Sequence, residues 1–222
     1  MLFVIDFDGT LALTDTVDAM LENFASPSWK DVERDWLRGG ITAVECMGQQ
    51  IRMIRADRPT LEDFFMSIEL DGSFLPFYHH AIRYATVVIV SDGLDHPIQV
   101  ATHKAGLPNI PVFANRLHFV PDGIDISFPH LDALCTAGNG VCKCAVARDL
   151  LPPLGGPVVL IGDGKSDACL AHHADVVFAK KSLLRYCLEQ GIAHIPFDSF
   201  ADVLAVVEKW DVHPPRKLAL VA

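Results

Sequence analysis

The chain has 222 residues, half of them hydrophobic, with a formal net charge of −10; that supports one good core with a small insert and excludes a general phosphate-backbone binder, which needs clustered Lys and Arg. Six cysteines are too few for a disulfide scaffold. No apolar run approaches the roughly 20 residues that span a bilayer, and acids interrupt the first apolar run after Ile5, so the expectation is a cytoplasmic protein with no membrane or nucleic-acid partner.

The first element is LFVI (2–5), a strand-like run that switches at once to DFDGT (6–10). Asp and Gly are poor strand residues, so the run reads as a buried strand delivering acids to its C-terminal end. Residues 14–80 hold no convincing buried strand. They hold helical patterns, TVDAMLENFA, SWKDVERDWLRG, TAVECMGQQIRMIRA and TLEDFFMSIEL, while DGSFLPFYHH (71–80) reads as a hinge. Then come TVVIV (86–90), IPVFAN (110–115), PVVLIG (157–162) and DVVFA (175–179), most without polar alternation, as in parallel strands buried on both faces. Between them, DHPIQVATHKAGL (95–107) and KCAVARDLL (143–151) read as amphipathic helices that stop near Gly106 and at Pro152. Two alternating runs around PDG, within 112–130, predict a β-hairpin. The prediction is an α/β fold: a Rossmann-like, doubly wound parallel sheet from 1–13 and 81–222, with a small helical cap inserted at 14–80 and a projecting hairpin.

In such a sheet the strand tips converge, and ligands bind there. The tips carry DFDGT, SDG (91–93) and GDGKSD (162–167), and Lys143 opens the helix before the last of these. Asp6, Asp8, Asp163 and Asp167 would repel one another strongly in an empty site. A hard cation resolves this, and an all-oxygen ligand set favours Mg2+, which also bridges to phosphate.

These four motifs in this order resemble those of the haloacid dehalogenase superfamily of phosphohydrolases. The resemblance implies that Asp6 attacks phosphorus to form an aspartyl-phosphate, and that Asp8 protonates the leaving oxygen and then activates water. It implies that Ser91 and Lys143, with main-chain N–H groups of the Asp92–Gly93 turn, hold the transferring phosphoryl group. Asp163 would join Asp6 and the Asp8 carbonyl on Mg2+, Asp167 would anchor Lys143 or metal-bound water, and Thr10 would support the loop. The helical insert looks like the small cap of the phosphoserine phosphatase-like branch. GGITAVEC, VFANRL, FPHLDALCTAGNGVCKC and the segment from GDGKSD to PFDSF are similar to the methionine-salvage phosphatases that act on 2-hydroxy-3-keto-5-methylthiopentenyl 1-phosphate. In this chain the second motif is SDG, where that phosphatase is expected to carry a Ser-Gly-Gly type, which sets an extra carboxylate, Asp92, beside the phosphate cup.

Taken singly, Ser91, Lys143 and Thr10 would read as a helix cap, a solvated lysine and a turn residue. Cys135, Cys142 and Cys144 flank Lys143 without a CxxC pair, so they read as small thiols near the active loop rather than a zinc knuckle completed by His130. His172 and His173 read as one exposed and one packed residue. In the cap, Asp15, Arg38, Glu45, Met47 and Arg52 are candidates to reach substrate, and Phe64 and Phe65 read as cap core. The expected function is a Mg2+-dependent phosphomonoesterase for a small phosphorylated metabolite, an enol or sugar-like phosphate first, phosphoserine or another amino-acid or polyol phosphate second. Phosphotransfer to an alcohol shares every motif. The contrasting class is a catalytically silent sensor, against which intact Asp6, Asp8, Lys143 and Asp163 argue.

Overall fold

The computed structural model describes residues 1–210 except 108, 122, 136 and 137, and only the backbone of 152–154. β1 (Leu2–Ile5) is followed by five helices, α1 (Thr16–Phe24), α2 (Trp29–Leu37), α3 (Ala43–Ile51), α4 (Arg58–Ser67) and α5 (Phe74–Ala81). Next come β2 (Thr86–Leu94), α6 (Asp95–Lys104) and the hairpin β3 (Val112–Val120) and β4 (Gly123–Ser127). The chain continues through α7 (Lys143–Leu154), β5 (Val158–Gly162), α8 (Ala168–Ala171), β6 (Val176–Ala179), α9 (Lys181–Gln190), β7 (Ile195–Pro196) and α10 (Phe200–Val207).

The strands form one sheet in the order β4-β3-β2-β1-β5-β6-β7, parallel except for the antiparallel β3–β4 pair. This is the doubly wound, Rossmann-like architecture expected. Successive side chains of β1 alternate between two buried faces: Phe3 and Ile5 join one apolar cluster with Phe77 and Phe200, while Leu2 and Val4 join another with Val146, Leu170 and Leu183. Neither face meets water, which is why the strands lack polar alternation. β1 therefore sits at the centre of the molecule, between β2 and β5, and its tip has both neighbours' tips beside it.

Two segments depart from the sequence expectation. DGSFLPFYHH is no hinge: α5 runs through it, and Phe74 and Phe77 pack on Phe200 with ring centroids 4.8 and 5.2 Å away. Pro76 suggested a break, but it lies in the first turn, where its missing N–H has no helical partner to lose. Pro152 does not stop α7, which runs to Leu154 and ends at Gly155 (φ +60). The hairpin forms as predicted, while its tip residue Asp122 lies outside the described residues. Phe65 is buried in the apolar cluster with Phe64 against it, as the cap-core reading has it. Among the described residues, no helix is long and apolar enough to cross a membrane.

Candidate active site

The tips of β1, β2 and β5 open onto a cavity of about 360 Å³. Asp6 continues β1 by donating its N–H to the Ile161 carbonyl, so its position is fixed by the sheet ladder. Its carboxylate is buried, and Oδ1 accepts from Lys143 Nζ at 2.6 Å. Lys143, buried at the first turn of α7, also donates to Asp167 Oδ1 at 2.5 Å. Burial alone would pull the Lys143 ammonium down, but Asp167 and Asp6 outweigh it and hold the group above the ordinary lysine value. Burial raises Asp6 well above the usual carboxylate range, with Lys143 opposing that rise.

Past Asp6 the backbone leaves the strand sharply. Gly9 takes φ +70, and a Cβ there would stand 2.3 Å from Asp163 Oδ2, so only glycine fits. The turn points Asp8 away from Asp6. Asp8 Oδ1 accepts from the Thr16 N–H at 2.8 Å and from the Thr16 hydroxyl at 2.5 Å, and Oδ2 accepts from the Ser91 hydroxyl at 3.5 Å. Burial, then the negative charge of Asp15, push Asp8 up to about 7. Ser91 is held in turn by the Gly93 N–H, which donates to its Oγ at 2.9 Å. A Cβ on Gly93 would lie 2.4 Å from Asp8 Oδ2.

On the β5 side, Asp167 Oδ2 accepts the N–H groups of Asp163 and Gly164 at 3.1 and 3.0 Å, folding the GDGKSD loop back on itself. Asp163 Oδ1 accepts from the Thr10 hydroxyl at 3.3 Å, and Oδ2 accepts from Lys181 Nζ at 3.0 Å. Asp6, Asp163 and Asp167 each offer an oxygen within 4.8 Å of the others. Asp6 and Asp163 line the cavity, whereas Asp167 is buried behind it, so Asp6 and Asp163 are the carboxylate donors that face the open space. The Asp8 carboxylate is turned to Thr16, so only its main-chain carbonyl is left to join them. Asp6 and Asp163 offer hard carboxylate oxygens close together at the mouth of the cavity, a donor set that fits a divalent cation such as Mg2+.

The fold gathers Asp6, Asp8, Ser91, Asp92, Gly93 and Asp163 on the cavity wall and sets Lys143, Asp167 and Thr10 behind it. Asp92 has a bracing contact as well. Its Oδ1 accepts from the Val141 N–H at 3.0 Å, so this oxygen braces the loop that leads into Lys143 while the residue lines the cavity. A buried carboxylate beside a bound phosphate would be strongly unfavourable, and the main-chain amides just ahead of α7 give it a better partner. Of the cap candidates, Asp15 and Met47 line the cavity, whereas Glu45 closes the capping box of α3 and Arg52 pairs with Asp125 at 2.8 Å. Arg38 is not among the lining residues. Sequence reasoning missed Thr16 and Lys181. Thr16 is one threonine among several, but the KK pair straight after the β6 run was a readable signal, since it too sits at a strand tip.

No protein-family model matches the chain. It is 31% identical, over 92% of its length and 96% of the relative's, to the 2-hydroxy-3-keto-5-methylthiopentenyl-1-phosphate phosphatase of Exiguobacterium sp.. With the protein of that name from Geobacillus kaustophilus the identity is 32%, over 93% of this chain and 95% of the other. The chain belongs to this phosphatase family. Solved structures agree on the fold: a HAD family hydrolase from Salmonella enterica serovar Typhi superposes with TM-score 0.74 at 19% identity, covering 94% of this chain and 71% of that one. A phosphoserine phosphatase, solved as an analogue of its phospho-aspartyl intermediate, gives 0.68 at 20% identity, covering 92% and 97%. The chain thus has the fold of these structures, and the cavity at the strand tips lies at the sheet edge where open α/β folds bind their ligands.

Proposed function

We propose that the enzyme hydrolyses a small phosphomonoester through an aspartyl-phosphate on Asp6. The observation that carries this reading is the pair of carboxylates at the β1 tip, set two residues apart and turned to different partners, Asp6 to the Lys143 ammonium and Asp8 to Thr16. Asp6 accepts from the buried Lys143 ammonium, which favours the charged form of the carboxyl that attacks in line on phosphorus. Asp8 is pushed up to about 7, where it can give a proton to the departing oxygen and then take one from water. Lys143, the Ser91 hydroxyl and the N–H groups of the Asp92–Gly93 turn receive the charge on the transferring phosphoryl oxygens. Asp6, Asp163 and the Asp8 carbonyl would hold Mg2+, which when bound offsets the repulsion between carboxylate and phosphate.

The helical insert at 14–80 serves as the lid of a core formed by 1–13 and the chain from 81 onward. α1, α2 and α3 supply the upper cavity wall, while α4 and α5 pack against α6 and α10. Opposite the phosphate cup stand Val17, Trp36, Ala43, Cys46 and Met47, an apolar wall suited to a methylthio group. With the names of the relatives, this wall supports 2-hydroxy-3-keto-5-methylthiopentenyl 1-phosphate as the substrate, and hence a role in methionine salvage. A second reading rests on Asp15, Asp18 and Glu33, which share that wall and form no ion pair among the described residues. They favour a phosphomonoester whose leaving group carries an amine, such as phosphoserine.

Ranking kcat/KM over a panel of phosphometabolites, with and without EDTA, tests both levels. The methylthiopentenyl phosphate is expected to rank first, with turnover lost in EDTA and restored by Mg2+. Phosphoserine ranking first would replace the substrate and keep the mechanism. Absence of metal-dependent turnover on every compound would reject the enzyme reading in favour of a sensor, and phosphate transferred to added alcohols would redefine the acceptor.

Gly93→Ala is expected to lower kcat by at least about 10²-fold, because displacing a catalytic group by about 1 Å costs that much. The new Cβ must push Asp8 from its Thr16 and Ser91 partners. Circular dichroism should be unchanged, and a kcat equal to that of the parent enzyme would remove Asp8 from the acid–base role.

A further inference from the structure

Beside the Lys143–Asp167 pair, on the far side from the cavity, three side chains meet that the proposed reaction does not use. Cys144 is the second residue of α7 and Cys169 the second residue of α8, and their Sγ atoms are in direct contact at 2.7 Å. His173 follows Cys169 by four residues, in the turn that ends α8. One ligand atom from each of the three lies within 4.8 Å of the other two. Both cysteines are half-buried and His173 is exposed, at the edge of a hollow of about 510 Å³ lined by Cys144 and His173, so an ion can reach them from solvent.

The grouping differs from the one the sequence suggested. Cys142 serves as the N-cap of α7, its Sγ accepting from the Ala145 N–H at 3.4 Å, and Cys135 is not in the group. The two adjacent histidines are both exposed, and His172 is taken by the Tyr186 hydroxyl at 2.8 Å, leaving His173 for the thiols. Two thiolates and an imidazole form a soft to borderline donor set, which selects zinc over the hard cations that suit the carboxylates of the cavity. A disulfide would use two of the three groups and leave the histidine without a role.

We propose that Cys144, Cys169 and His173 form a zinc site, with solvent in the fourth position. Tetrahedral thiolates on zinc stand further apart than these sulfurs, so occupancy moves them outward, toward the open side of the cluster. The ion ties the first turn of α7, directly behind Lys143, to α8, two residues behind Asp167. It acts as a staple on the segments that carry the buried ion pair, and takes no part in the chemistry.

The test uses the full chain, stripped of metal, reduced, and titrated with Co2+ or Zn2+ in excess Mg2+. Thiolate-to-cobalt charge transfer in the near ultraviolet reports the cluster and is silent for carboxylate ligands. The expected result is one equivalent of metal per chain and a thiolate band in the parent protein, in Asp163→Asn and in Cys135→Ser. Cys144→Ser and Cys169→Ser should lose the band while keeping their circular dichroism. His173→Ala should bind zinc at least about 100-fold more weakly in competition with a chromophoric chelator, since losing even an outer-shell partner costs about 10–100-fold. No thiolate band in the parent, or a band that survives Cys169→Ser, overturns the proposal. So does an unreduced chain lighter by two hydrogens that shows no band after reduction, which would mean a Cys144–Cys169 disulfide.

Discussion

Asp6→Asn is expected to reduce turnover by at least about 10⁴-fold, to the limit of detection, because removing an attacking nucleophile leaves only the residual catalysis of binding. The fold should survive, since the amide oxygen can still accept from Lys143 and the main-chain bond to Ile161 is untouched. Asp8→Asn should behave differently. It keeps the attacking carboxylate and loses the proton-transfer group, a change that costs about 10²–10⁴. With an activated aryl phosphate, whose leaving group needs no proton, Asp8→Asn should still phosphorylate Asp6 and then stall at hydrolysis. Mass spectrometry after acid quench should find one phosphoryl group on the peptide containing Asp6 in Asp8→Asn and none in Asp6→Asn. Full activity in either variant, or a phosphoryl group on another residue, would refute the assignment.

These expectations began in a sequence whose strand tips were readable and whose cross-chain contacts were not. β1, β2, β5 and β6 announced themselves because both faces of each strand are buried, which forces apolar runs ended abruptly by Asp, Ser, Gly or Lys. The hairpin was legible from alternation around PDG. α5 was not, because Pro76 carries the same letter in a loop and in a helix's first turn, and only packing on Phe200 distinguishes them. The bracing contact of Asp92 was not legible, because SDG gives no hint of the Val141 N–H that one of its oxygens accepts from, 49 residues away. Thr16 was passed over for the same reason, since nothing local marks it as the partner of Asp8. Cys144 and Cys169 are separated by 25 residues, and sequence spacing drew attention to the nearby Cys142 instead. Lys143 and Asp6 are 137 residues apart, and only the order of motifs implied that they meet.

Their meeting leads to the second large effect, which falls on stability as well as rate. Lys143→Met is expected to abolish turnover and to destabilise the metal-free protein at neutral pH by about 3–5 kcal/mol, the cost of removing one partner from a buried ionic cluster. For a chain of this size that is a fall in Tm of roughly 10 °C. The side chains of Lys143 and Asp167 are fully buried and that of Asp6 nearly so, so water cannot replace the lost ammonium. The pH dependence has a definite sign. Burial already raises Asp6 above its unfolded value with Lys143 opposing, and the variant removes that opposition. A carboxyl with a raised folded-state pKa binds its proton more tightly when folded, so stability is gained as pH falls from neutral through the raised folded value toward the unfolded value near about 4. The deficit of Lys143→Met relative to the parent should therefore shrink on acidification through that window. Adding Asp6→Asn to Lys143→Met should cost less than the two single changes together, because the amide removes the charge the methionine left unpaired. Denaturant unfolding at neutral and mildly acidic pH measures both. A variant as stable as the parent at neutral pH, or a deficit that grows on acidification, would mean that the three buried charges do not form the coupled cluster described.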